Sequence, residues 1–312
     1  MTAFTLCLIL IGTGGPELTP VRGGPATLVG VNGQNLLFDA GRGVLDGIYA
    51  ARIRPQDVTK VFLTHLHNDH IEGLPSLWIT PWFLLGRQQK LEVWGPPGTR
   101  AMVDGMRRMF AHDLEHRPNA IFKKEYLDIE VHEAAPGVVY LEAGVKVTAV
   151  PVEHRDGNPA FGYRVDAFGR SVLLTGDSTY SDGLASAGKG VDVLVSNVAA
   201  GTEALEQSGT IAPILEKLMR PEQAARLFLG AAPRLAVFSH IVKKGLHGAA
   251  GDAVILGRTR KAGYAGPLQM GSDGMKITVG DKIEITPPPS RASLPDFDGT
   301  GVTFELPGSD IL

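Results

Sequence analysis

Directly after an apolar run the chain reads Thr64-His65-Leu66-His67-Asn68-Asp69-His70. Four metal-ligating side chains, His65, His67, Asp69 and His70, fall within six positions, where a tight turn at a strand end fans them around one point outside the sheet. With this chain's His and Asp content, chance would place His-x-His-x-Asp-His on the order of once in a few thousand chains of this length, so metal binding is the reading to develop. Imidazole nitrogens with a carboxylate suit Zn²⁺, Mn²⁺ or Fe, whereas Ca²⁺ and Mg²⁺ prefer cages of oxygen. Cys7 is the single cysteine, which rules out Cys-based zinc sites and an internal disulfide framework. Any metal must therefore sit on His, Asp or Glu.

Four ligands in one turn cannot complete two tetrahedral sites, so further donors are expected elsewhere. Three residues stand at the ends of apolar, strand-like runs: His154 after Val147–Glu153, Asp177 after Val172–Gly176, and His240 after Leu235–Ser239.

In this order, His-x-His-x-Asp-His, His, Gly-Asp, Ser-His, the chain resembles the metallo-β-lactamase-fold hydrolases. It is most similar to their arylsulfatase-like and tRNase Z-like branch, through Gly12-Thr13-Gly14-Gly15-Pro16, Leu37-Phe38-Asp39-Ala40-Gly41-Arg42-Gly43, Trp94-Gly95-Pro96-Pro97-Gly98-Thr99-Arg100 and Leu174-Thr175-Gly176-Asp177-Ser178. The match runs from about residue 4 to 282. The resemblance implies a four-layer αββα sandwich of the α/β class. It also implies two divalent metal ions, with zinc the first choice and Mn or Fe the others. His65, His67 and His154 would hold the first ion, Asp69, His70 and His240 the second, and Asp177 would bridge them. A hydroxide between the ions would be the nucleophile, and Asp69, facing it, would receive a proton. A bridging carboxylate resembles the phosphodiesterase, sulfatase, lactonase and thioesterase relatives more than the true β-lactamases.

The chain departs from the tRNase Z-like pattern at one place. A His-Glu pair tied to leaving-group protonation is replaced by Ser196-Asn197 at the end of Val191–Val195. Two roles for Asn197 stay open: its amide donates to a developing oxyanion, or it satisfies loop backbone. His247, in a Gly-rich loop after His240, is the remaining candidate for a substrate or proton role. The expected function is metal-dependent hydrolysis of a small ester: an aryl sulfate, a phosphodiester or phosphotriester, or a lactone. The alternatives are a tRNase Z-like RNA-processing endonuclease and a non-enzymatic binding protein that kept the fold.

Weaker signals divide in the same way. Gly12-Thr13-Gly14-Gly15 begins like a dinucleotide fingerprint but has Glu17 at the third Gly position and no helix after it, so a loop beside the metals is expected. No Gly-x-Ser-x-Gly elbow or Walker A segment occurs. His112 and His116 stand four apart among Asp113, Glu115 and Arg117, as on a solvated helix face. His132 sits in an acidic, strand-like stretch. Trp78, Trp82 and Phe83 are either core or an apolar wall over the metals, suited to an aromatic or acyl leaving group.

The elements that must position these residues follow from pattern. Short apolar runs bounded by Gly, Pro, Asn and Asp read as strands: Phe4–Ile11, Thr27–Val31, Asn35–Phe38, Lys60–Leu63, Leu91–Trp94, Val145–Val152, Phe161–Val165, Ser171–Leu174, Val191–Ser196 and Leu235–Phe238. Helical spacing marks Gly43–Ala51, Thr99–Phe110, Pro213–Phe228 and Ala249–Ala262. With 312 residues, 44% hydrophobic and 20% charged, the chain can bury a sizeable core. A hydrolase domain is expected over 1–287 and a Pro-led tail over 288–312, where Val302, Phe304 and Leu306 alternate: the tail adds an edge strand, reaches another subunit of a homo-oligomer, or is a loosely ordered terminus. The net charge of −3 and the isolated pairs Lys123-Lys124 and Lys243-Lys244 argue against a nucleic-acid partner. No apolar stretch approaches the roughly 18 residues of a membrane span. A cytoplasmic protein is therefore expected, with export after removal of a leader as the other reading.

Overall fold

Leu6, Leu8 and Leu10 point into one apolar core, while Cys7, Ile9 and Ile11 between them point into another. A strand buried on both faces needs covering layers on both sides. The computed structural model, which describes residues 5–289, supplies them as a four-layer αββα sandwich. In chain order the strands are β1 (Leu6–Gly12), β2 (Ala26–Val31), β3 (Gln34–Phe38), β4 (Lys60–Phe62), β5 (Leu91–Gly95), β6 (Ile129–Glu133), β7 (Gly137–Glu142) and β8 (Val145–Val152). They continue as β9 (Ala160–Ala167), β10 (Arg170–Leu174), β11 (Val193–Gly201), β12 (Leu235–Lys244), β13 (Leu268–Met270), β14 (Met275–Val279) and β15 (Ile283–Thr286). One sheet has the order β15-β14-β1-β2-β3-β4-β5-β6 and the other β13-β12-β11-β10-β9-β8-β7.

The inner faces of the two sheets share a core that includes Phe38, Phe62, Trp94, Tyr140 and Tyr163. Phe62 stacks between Phe38 and Trp94, with ring centroids 5.0 and 4.7 Å away. Helices Val44–Ala50, Leu74–Leu84 and Thr99–Met109 cover the outer face of the first sheet. Asp182–Ala187, Pro221–Ala231 and Gly248–Lys261 cover the second. No helix among the described residues is long and apolar enough to cross a membrane. The proposed tail, including Val302, Phe304 and Leu306, lies outside the described residues from 290 onward.

Several expected elements change. The helix expected over Pro213–Phe228 is two helices, Ala212–Leu215 and Pro221–Ala231. Proline lacks an N–H and clashes with the preceding turn, so Pro221 starts a helix instead of continuing one. Leu74–Leu84 is a helix despite Pro75 and Pro81, and it carries Trp78 and Trp82. Their indole N–H groups donate to the carbonyls of Leu127 and Lys123, at 2.7 and 3.0 Å. Phe83 packs at the edge of the same outer core, under the Arg117 guanidinium. The aromatic wall over the metals is thus replaced by core packing on the far side of the first sheet.

Candidate metal centre

The strands end where chemistry needs side chains. β4 stops at Phe62, and Thr64 to His70 turn over the top of the sandwich into the short helix Asn68–Ile71. His154 follows the end of β8, and Asp177 stands three residues beyond β10. His240 lies inside β12 rather than after a strand ending at Phe238. The β11–β12 register runs Ser196↔Phe238 then Val198↔Ile241, so β12 carries an extra residue there, and His240 takes the left-handed φ of 43°. This bulge re-aims the imidazole out of the ladder.

All seven expected ligands converge. His65, His67 and His154 offer ligand atoms within 4.8 Å of one another, as do Asp69, His70 and His240, and also His65, His70 and Asp177. Asp177 stands between the first two groups: its Oδ1 is 3.6 Å from His70 Nε2, and its Oδ2 is 3.6 Å from His154 Nε2 and 3.2 Å from His240 Nε2. His67 faces the cluster through Nδ1, 3.2 Å from His154 Nε2.

The imidazoles are aimed by partners on their far sides. His70 Nδ1–H donates to Asp39 Oδ2 at 2.8 Å, and His154 Nδ1–H donates to the Lys217 carbonyl at 3.0 Å. The Thr64 hydroxyl, which donates to Asp39, lies 3.0 Å from His65 Nδ1 and accepts from it. Each ring thereby turns Nε2 toward the common centre. Asp39 and Thr64, both buried, carry this arrangement. Two glycines make room for it. A Cβ on Gly157 would lie 2.1 Å from His154 Cδ2, and one on Gly15 would lie 3.1 Å from His240 Cε1. The Thr13–Gly15 segment after β1 is therefore a loop against the cluster, with Gly14 bridged to Ile241.

Electrostatics divide the cluster. Burial, joined by the neighbouring imidazoles, pushes the His65 pKa well below its usual value, and burial also lowers that of His154. For His70 burial acts in the same direction, but the Asp39 and Asp177 carboxylates outweigh it and hold the pKa well above the usual value. His240 is likewise raised, because Asp177 and Asp69 outweigh its burial. Burial raises the carboxylate values of Asp177 and Asp69, yet the imidazoles hold both below the usual range. His65 Nε2, His70 Nε2 and Asp177 Oδ1 are buried without a hydrogen-bond partner. Buried nitrogen and oxygen atoms crowded around one point without hydrogen-bond partners fit divalent cations held by nitrogen and oxygen.

The other candidates stand apart. Asn197 is buried, its Nδ2–H donates to the Ser178 carbonyl at 3.1 Å, and its Oδ1 accepts from the Ser178 and Thr175 hydroxyls at 3.4 Å. Its amide ties the loop after Asp177 to β11, the second of the two roles left open for it. His247 is exposed, as the N-cap residue of Gly248–Lys261, and belongs to none of the ligand groups. His112 and His116 stack on the helix Ala111–His116, beside an Arg117–Asp113 ion pair. Sequence reading missed Asp39, Thr64 and the Lys217 carbonyl as supports. For Asp39 the available signal was a carboxylate one residue after a strand end.

Comparison with known proteins places the chain in a class. Residues 34–241 match the family model described as Beta-lactamase superfamily domain. The Ribonuclease Z of Mycolicibacterium gilvum is 33% identical over 278 residues, covering 86% of this chain and 95% of that protein. The Ribonuclease Z of Mycobacterium marinum is 39% identical over 197 residues, covering 61% and 70%. Among solved structures, the metallo-beta-lactamase fold protein YhfI from Bacillus subtilis superposes with a TM-score of 0.67 at 16% identity, over 88% of this chain and 100% of that one. Human tRNase Z, short form, gives 0.65 at 22%, over 87% and 98%. The chain belongs to the beta-lactamase superfamily, and is a metal-dependent hydrolase of that fold.

Proposed function

We propose that the chain hydrolyses phosphodiesters with two divalent ions, zinc first among them. The observation that carries this reading is Asp177, whose two oxygens face the imidazoles of both ligand groups. His65, His67 and His154 would hold one ion and Asp69, His70 and His240 the other, with Asp177 shared. Bound there, the ions would act as Lewis acids and bring the pKa of water toward neutrality. Asp69, buried beside His240 and ionised, would orient the attacking water and take up its proton.

The leaving group sets the narrower substrate class. With the Asn197 amide bonded to loop backbone and His247 exposed, neither residue stands ready to protonate a departing oxygen. A phosphodiester with an activated, aryl-like leaving group fits best, since it departs as the anion. The net charge of −3 favours a small substrate over a polyanion. A second reading, RNA cleavage, is favoured by the relatives named Ribonuclease Z, and it reopens the nucleic-acid partner that composition argued against.

A panel of nitrophenyl phosphodiesters, nitrophenyl sulfate, a lactone and a precursor tRNA, assayed on zinc-loaded protein, tests both readings. Turnover greatest on the aryl phosphodiesters, falling steeply as leaving-group pKa rises, is expected. Efficient cleavage of the precursor tRNA with weak action on small esters would overturn the small-substrate reading. Hydrolysis of the sulfate or lactone alone would overturn the phosphodiester.

A further inference from the structure

His240 differs from the other supported imidazoles on the side of its ring away from the ligands. In His65, His70 and His154 the Nδ1 atom has a protein partner, whereas His240 Nδ1 is buried without one. With Nε2 facing the Asp69 and Asp177 oxygens, 3.4 and 3.2 Å away, and given to a cation shared with them, the ring keeps its proton on Nδ1. A buried N–H with no acceptor is a rare and costly state.

The same ring lines a cavity of about 40 Å³ at the top of the inter-sheet core. Phe38, Leu174 and Val195, members of that core, border it on one side. The hydroxyl residues Thr27, Ser196 and Ser239 line it as well. A purely apolar cavity of this size would stay dry. One bordered by hydroxyls and a buried imidazole donor offers the several polar partners that ordered water needs, with room for on the order of two or three molecules.

We propose that this cavity is a buried-water site, in which a water accepts from His240 Nδ1–H and is itself held by the Ser239 and Thr27 hydroxyls. Ser239 and Thr27 are then positioning residues: through that water they fix the tautomer and rotation of His240, as Asp39 does directly for His70. The water site does not depend on the dinuclear reading, but its effect on metal affinity does.

Two measurements decide it. High-resolution crystal structures of the metal-free and zinc-loaded protein should show density within hydrogen-bonding distance of His240 Nδ1 in both. Calorimetric titration with zinc alone should show second-site affinity about ten-fold weaker in Ser239→Ala with Thr27→Val, and unchanged in the conservative Thr27→Ser. The first-site affinity should stay the same in each. A cavity without density, or His240 Nδ1 donating to a protein group, would overturn the proposal. So would a double variant that binds its second zinc as tightly as the parent. If the double variant fails to fold, the parent's density still decides. A parent that takes up one zinc per chain would contradict the dinuclear reading, while the density at His240 Nδ1 would still settle the water site.

Discussion

His70 Nδ1 and Asp39 Oδ2 stand 2.8 Å apart, both buried, and the same carboxylate accepts from the backbone N–H and hydroxyl of Thr64. One side chain thus aims His70 directly and steadies the hydroxyl beside His65. Its replacement should reach the metals without touching them. Asp39→Asn keeps an oxygen for Thr64, but would turn an amide N–H₂ or a neutral oxygen toward His70. Second-site zinc affinity should fall about ten- to a hundred-fold, the usual cost of losing an outer partner of a ligating His. Competition titration against a chelator measures it, and parental affinity would remove Asp39 from the account.

The split in imidazole pKa values gives a pH dependence. In the metal-free protein His70 and His240 are held above their usual range by Asp39, Asp177 and Asp69 in spite of burial, so they keep their protons to higher pH than a free imidazole does. A cation entering the Asp69, His70 and His240 group must displace them. Affinity there should weaken as pH falls, up to about ten-fold per pH unit for each proton displaced, and level off only above the raised pKa values. His65 and His154, lowered by burial, have no such protons to release, so their group should respond less. Zinc titrations in buffers of different ionisation enthalpy count the protons. Equal release at both sites would contradict the assignment.

Asn197 should behave as a structural residue. Asn197→Ala leaves the Ser178 carbonyl and hydroxyl without a buried partner, at a cost of about 1–3 kcal/mol in unfolding free energy. The dependence of rate on leaving-group pKa should not change. Denaturant unfolding and an aryl phosphodiester series check the two halves. A steeper leaving-group dependence at unchanged stability would return Asn197 to the chemistry.

What the sequence disclosed followed how local each feature is. His65 to His70 are legible because one turn holds them, and His154 and Asp177 because apolar runs announce the strands before them. His240 was legible as a residue but not in its setting, since the bulge that turns it exists only through the pairing of β12 with β11. Asp39, Thr64 and Lys217 became supports through contacts that only the packed sheets create. The break at Pro221 was written in the chain, yet apolar spacing across it suggested one helix. That break leaves the connector carrying Lys217 free to set its carbonyl against His154. The helix Leu74–Leu84 was hidden by its prolines and nearly uniform apolarity, which leave little periodic signal.

Metal content decides whether a pair of ions is shared by Asp177. Elemental analysis of gently purified parent and Asp177→Ala proteins should give two metals per parent chain and a clear loss in the variant, because the Asp177 oxygens face imidazoles of both ligand groups. At most one metal in the parent, with Asp177→Ala leaving the content unchanged, would contradict the shared site.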